Sequence, residues 1–236
     1  MGSFYVLNTT QAADLRLYAG GQWVNGTRRH CAICGAFTDS SEPLEIQIAL
    51  DHLGKRGFTE YLWNSHSLPL FREDLCRIWG EAGLTGYVLK PVCITGWSRH
   101  PTKAMPSPLP VYYRLLTISR VRLATPPPVG ECCPACGFSR YAFPATGTHL
   151  ESGIEVDIAS WDGSDLFGLA GYQFVFCTRR VAEITLRAGY NRHVVFIRER
   201  DYERWQDFDY RVWTAADYDK HVEGFLIRRA EDLDIS

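Results

Sequence analysis

Two five-residue stretches, Cys31-Ala32-Ile33-Cys34-Gly35 and Cys133-Pro134-Ala135-Cys136-Gly137, hold the residues best suited to chemistry in this 236-residue chain. In each, two cysteines flank a two-residue turn. A glycine follows where a positive φ lets backbone N–H groups approach the sulfurs. Together they offer four thiolates, a complete tetrahedral set, so the expected metal is Zn2+ in a closed structural site with no position for water or substrate. Paired disulfides, redox-active thiols and unliganded buried thiols are the competing readings. A thioredoxin-type motif opens a helix whose N-terminus activates the first cysteine. Here the glycine and then Ala36-Phe37 or Phe138-Ser139 follow instead. His30 adjoins the first motif as a replacement ligand and Cys132 competes at the second, but only Cys133 keeps the two-residue spacing to Cys136. The expected ligands are Cys31, Cys34, Cys133 and Cys136.

No other residues form a catalytic pattern. The seven histidines are scattered singly, with no pair at helical spacing and no nucleophile motif beside them. Asp157, Asp162 and Asp165 match neither a Ca2+ loop nor a glycosidase-like pair, and there is no glycine-rich phosphate loop. An enzyme is not expected.

The net charge of −2 conceals an uneven distribution. From Glu151 to Asp165 there are five acids and no Lys or Arg; from Asp201 onward ten acids face five bases. Such surfaces repel phosphate backbones and steer basic proteins toward themselves, although charge runs are as often simply solvated faces. Arg28, Arg29, Arg99, Lys103, Arg179 and Arg180 make short basic clusters without a long stripe, so nucleic acid is the less favoured partner. No run of eighteen apolar residues suggests a membrane span. The opening Met1 to Leu7 lacks the basic flank and long apolar stretch of a signal peptide, and the chain is read as cytoplasmic.

The elements that must position these residues are those of an α+β fold, with a mixed or antiparallel sheet and a few helices in a single domain over 1–236. Arg72 to Glu81 reads as an amphipathic helix with Leu75, Ile78 and Trp79 on one face, stopped by Ala82-Gly83 before a strand from Leu84 to Leu89. Arg179 to Phe196 repeats the plan, with Val181, Ile184 and Thr185, then Ala188-Gly189, then Val194 to Phe196. The repetition predicts two related halves, 1–125 and 126–236, each with one knuckle and clasped by the shared metal. Further strands are expected at Phe4 to Leu7, Asp14 to Tyr18, Leu44 to Ile48, Val111 to Leu123, Gly153 to Ala159 and Tyr172 to Cys177. A last helix is expected within Ala215 to Arg229.

These features together resemble a known family. The two CxxCG knuckles, the opening Phe4-Tyr5-Val6-Leu7, the Gly83-Leu84-Thr85-Gly86 turn, Asp165-Leu166-Phe167, Arg180-Val181-Ala182-Glu183 and Val194-Val195-Phe196 resemble the double-CXXCG family of bacterial immunity proteins, a paralogous set in myxobacteria. The resemblance extends to about Glu199; the segment from Asp201 is longer than the family's tail. It implies a cytoplasmic antidote that binds and neutralises a toxin delivered by kin, as in swarm-inhibition toxin and immunity pairs, with a cognate toxin encoded by a neighbouring gene and no small-molecule substrate. Acidic residues Glu155, Asp157, Asp162 and Asp165, and the tail residues Trp205, Asp207 and Asp209, are the expected toxin contacts: acids mimic phosphate and Trp anchors interfaces. The alternative is a zinc-ribbon nucleic-acid-binding or regulatory module.

Overall fold

The structure, a computed structural model, describes residues 4–9, 19–25, 28–30, 32–33, 37–40, 46–53, 57–64, 69–100, 102–124, 129–132, 134–135, 139–141, 155–169, 175–191, 194–201 and 223–234. The elements run β1 (Phe4–Thr9), β2 (Gly20–Trp23), β3 (Arg28–His30), β4 (Phe37–Ser40), β5 (Ile46–His52), β6 (Trp63–Asn64), β7 (Leu70–Arg72), α1 (Glu73–Glu81), β8 (Tyr87–Trp97) and β9 (Tyr112–Thr117). They continue with β10 (Arg120–Val121), β11 (Val129–Cys132), β12 (Ser139–Tyr141), β13 (Leu166–Leu169), β14 (Val175–Thr178), α2 (Arg179–Arg187) and β15 (Val194–Arg198). The fold is α+β with two mixed sheets, as the residue pattern led us to expect.

Period-two alternation sends successive side chains to opposite faces; in β1 both faces are buried, Phe4 and Val6 in one cluster and Tyr5 and Leu7 in another. In β5, Ile46, Ile48 and Leu50 are fully buried and share a cluster with Leu62, Leu70, Val92 and Tyr112. The strand order β6-β2-β5-β8-β9-β7 would leave two edges, but residues 60–62, just before β6, also bond β7. Leu62 N–H donates to the Leu70 carbonyl at 3.0 Å, Arg72 N–H donates to the Glu60 carbonyl at 2.9 Å, and Tyr61 lies opposite Phe71. The sheet therefore closes on itself, which removes its exposed edges. The second sheet has the order β10-β13-β14-β1-β15. Its Phe4, Val6, Phe167 and Phe176 form one cluster, with Phe4 edge-on to Phe167 and Trp161 at centroid distances of 5.2 and 5.1 Å.

The two helices join these sheets. Leu75, Cys76 and Trp79 of α1 and Val181, Ala182, Thr185 and Leu186 of α2 fall at helical spacing and enter one central core with Tyr5 and Phe196 from one sheet and Phe71 and Leu115 from the other. Where the helices meet, the Trp79 indole Nε1 donates to Thr185 Oγ1 at 2.8 Å, and that hydroxyl donates to the Val181 carbonyl at 2.7 Å, so the buried polar groups are satisfied. Both helices end in the same way. Gly83 and Gly189 adopt φ of 65° and 84°. Gly83 N–H bonds Gly80 O and Leu84 N–H bonds Trp79 O; Gly189 N–H bonds Leu186 O and Tyr190 N–H bonds Thr185 O. Each is a Schellman turn that satisfies the last carbonyls.

Two expectations differ from the structure. The alternation from Gly153 predicts a strand to Ala159, but among the described residues of this segment only Val156 pairs, with Leu123, and Ile158–Ser160 form a 3-10 turn with Ile158 56% exposed. The Asp157 carboxylate accepts the Ala159 N–H at 3.1 Å, a local bond that competes with extension of the ladder. The strand placed at Leu84 begins instead at Tyr87, after the Schellman turn and Gly86. Of the helix expected within Ala215 to Arg229, residues 215–222 lie outside the described residues; past a turn at 224–225, Ile227 and Phe196 exchange backbone hydrogen bonds at 2.8 and 3.3 Å. The strand expected at Asp14 to Tyr18 lies outside the described residues. Among those described, no helix is long and apolar enough to cross a membrane.

Candidate functional site

Each CxxCG motif is carried on its own two-stranded hairpin. In β3–β4, His30 lies opposite Phe37; in β11–β12, Cys132 lies opposite Ser139. The last pair of each ladder thus joins the residue before the first cysteine to the third residue after the second. Turns occupy Ala32-Ile33 and Pro134-Ala135, all exposed, with Ile33 69% accessible. The two hairpins thus share the pair that borders the motif, and farther out each ladder carries its own register shift. At the second motif Cys132 takes the ladder position that His30 takes at the first. The side chains of Cys31, Cys34, Cys133 and Cys136 lie outside the described residues. Among the described residues no group of three or more His, Cys, Asp or Glu is placed to hold a metal ion.

Other thiols have a different character. Cys76 and Cys177 are buried in the central core. Burial pushes the Cys76 thiol up to about 12 and the Cys177 thiol well above its ordinary value, so both stay protonated and behave as small apolar residues.

The expected acidic contacts separate into two groups. Glu155 and Asp162 are exposed. Hydrogen bonds from the Ser164 hydroxyl at 2.6 Å and backbone N–H at 3.0 Å hold the Asp162 carboxyl below its ordinary value. Asp157 is half-buried and pairs with Arg122 at 3.1 Å, an ion pair exposed on the arginine side and hence weak. Asp165 instead faces inward, only 7% exposed. Its carboxylate accepts from Thr85 N–H at 3.0 Å, Thr85 Oγ1 at 3.2 Å, Thr178 Oγ1 at 3.1 Å and the Arg180 guanidinium at 3.2 Å. Its bonding capacity is used within the fold, which removes it from the exposed acidic face. Trp205, Asp207 and Asp209 lie outside the described residues.

Glu199 is a further acid at this face, one that sequence reasoning missed. Its Oε2 is buried and has no hydrogen-bond partner among the described residues. Burial, reinforced by the nearby Glu155 charge, raises its carboxyl to about 7. The neutral acid is therefore favoured in the fold. The stability it contributes is complete below the ordinary carboxyl value and is lost as pH rises through about 7. Glu199→Gln is expected to abolish this dependence and to stabilise the protein above pH 7 by up to about 3 kcal/mol. Chemical denaturation of both proteins at pH 5 and pH 8 checks it; an equal loss of stability in the two between these values would contradict it.

At the surface between the helices, Arg72 and Asp74 pair in bidentate fashion at 2.8 and 2.6 Å, and Tyr190 also hydrogen-bonds Asp74. The Arg72 guanidinium holds the Asp74 carboxyl at about 2. The pair fastens the start of α1 to the turn after α2. In comparisons with known proteins, the sequence matches no protein-family model and no curated protein.

Proposed function

We propose that this chain is a cytoplasmic immunity protein that binds a cognate delivered toxin and neutralises it by direct blockade, on a scaffold held by a structural Zn2+. The observation that carries the reading is that both CxxCG motifs sit on hairpins bordered by the same pair, the residue before the first cysteine opposite the third residue after the second. Each turn exposes its two middle residues, and the two-residue spacing suits a pair of thiolates along one edge of a tetrahedral ion. Cys31, Cys34, Cys133 and Cys136 are the ligands, and Zn2+ supplies a cross-link rather than a reaction. Cys34→Ser or Cys136→Ser is then expected to release zinc and lower the melting temperature by about 10 °C or more, since metal-binding energy in such sites is folding energy. Metal analysis with thermal unfolding checks this; wild-type melting in both variants would contradict a structural metal.

Glu155 and Asp162, with Asp157 between them, form the face offered to the toxin; Asp165 is not part of it. A toxin that acts on nucleic acid presents a basic cleft, and such a face complements it. Co-elution of the purified chain with the product of the adjacent gene, followed by Glu155→Lys with Asp162→Lys, tests the contact. The reading expects a complex that the double variant weakens at least tenfold at low salt. Unchanged affinity would place the contact elsewhere. The alternative of a zinc-ribbon nucleic-acid-binding or regulatory module is favoured by Arg28 and Arg29, which lie in β3 beside the first knuckle. Salt-dependent binding of the free protein to DNA or RNA, lost in Arg28→Ala with Arg29→Ala, would select it.

A further inference from the structure

Two stretches of this chain build the same object. Residues 60–64 pair antiparallel with β7, Tyr61 opposite Phe71, and parallel with β2, Gly20 opposite Trp63. Likewise β13 pairs antiparallel with β14, Leu166 opposite Cys177, and parallel with β10, Arg120 opposite Gly168. Each knuckle hairpin sits between two antiparallel segments, closed by Val24 N–H to Gln47 O at 2.9 Å in one case and Ala124 N–H to Glu155 O at 2.8 Å in the other. The units β7-α1-β8 and β14-α2-β15 each hold two parallel strands on either side of one antiparallel strand. Their helices are both nine residues long and end in the same Schellman turn. Trp79 and Thr185, which bond at the helix crossing, are each the seventh residue of their helix. A residue meeting its own counterpart marks a local two-fold relation between the units.

The middle strand of each unit comes from the other half. In the first unit it is β9; in the second it is β1. Both are opening strands, β1 preceding β2 and β9 preceding β10. They are also counterparts in register. Phe4 lies opposite Thr178, the residue before α2, and Tyr112 lies opposite Arg72, the residue before α1. Each points into the cluster on the sheet face away from the helices.

We propose that the chain is a tandem repeat of one knuckle, sheet and helix unit whose two copies have exchanged their opening strands, an internal counterpart of a strand-swapped dimer. The repeat boundary then falls within residues 98–111, between β8 and β9, and not at residue 125. The exchange makes each half depend on the other for the strand at the centre of its β-α-β unit. It stands on backbone pairing alone and is independent of the metal and of the toxin.

Hydrogen exchange on the full-length protein tests it with Phe4→Leu in β1 and Tyr112→Leu in β9. Phe4→Leu is expected to speed amide exchange roughly fivefold or more across 175–198 while sparing 70–97, and Tyr112→Leu is expected to do the reverse. Val6→Ala and Leu115→Val, milder changes on the same strands, give the same readout if an aromatic variant does not fold. Loosening of each variant's own half, or equal loosening of both halves, would overturn the exchange.

Discussion

Gly86→Ala is expected to destabilise the protein by about 2–5 kcal/mol, combining a left-handed backbone with overpacking. Gly86 has φ of 89°, where an L side chain is strained. A Cβ there would run into the Leu166 carbonyl oxygen and approach Ser164 Cβ to 2.6 Å. Neither neighbour yields easily. Leu166 is fully buried and its N–H donates to Thr85 O at 3.0 Å, so movement of this strand breaks the junction between the halves. Urea unfolding of wild type and variant measures the loss; a difference below about 1 kcal/mol would show that the junction is looser than described.

Asp165→Ala is expected to cost about 3 kcal/mol. The substitution leaves Thr85 N–H, two hydroxyls and the Arg180 guanidinium without their shared acceptor, and unsatisfied buried donors carry the full desolvation penalty. Arg180 is half-exposed, so water compensates its share and keeps the cost below that of a fully buried ion pair. Arg180 also donates to the Ala82 carbonyl at the end of α1, so loss of Asp165 frees a side chain that ties the halves together. Asp165→Asn should recover part of the stability by keeping an acceptor oxygen. Thermal unfolding of the two variants separates the outcomes, and equal melting of Asp165→Ala and wild type would contradict the assigned role.

Elements written into local chemistry were legible in the residues. The helix, Ala-Gly and strand units were readable twice because apolar spacing and a C-terminal glycine both act over a few residues. β1 was legible as the short apolar run Phe4 to Leu7, and the start of β5 within Leu44 to Ile48. The segment from Gly153 misled because Val156 and Ile158 alternate with acids, whereas the Asp157 side chain bonds its own backbone and turns the chain. Closure of the first sheet by residues 60–62 and the exchange of β1 with β9 were illegible, since both rest on pairings between distant residues that leave no periodic mark. The candidate site divides along the same line. Spacing picks out both CxxCG motifs, and the hairpins that carry them place His30 and Cys132 at the end of their ladders. Asp165 reads in sequence as a surface acid, because Thr85, Thr178 and Arg180 converge on it only in the fold. Glu199 gave no signal at all: its burial comes from neighbours brought up by β1 and the Val156 segment.

The most direct test of the proposed function is protection. The toxin-like product encoded beside this gene would be expressed in a sensitive host with and without this protein, with survival as the measurement. The account predicts that cells survive when the protein is present and that the pair is recovered as a stable complex. Undiminished killing, with no complex formed, would contradict it.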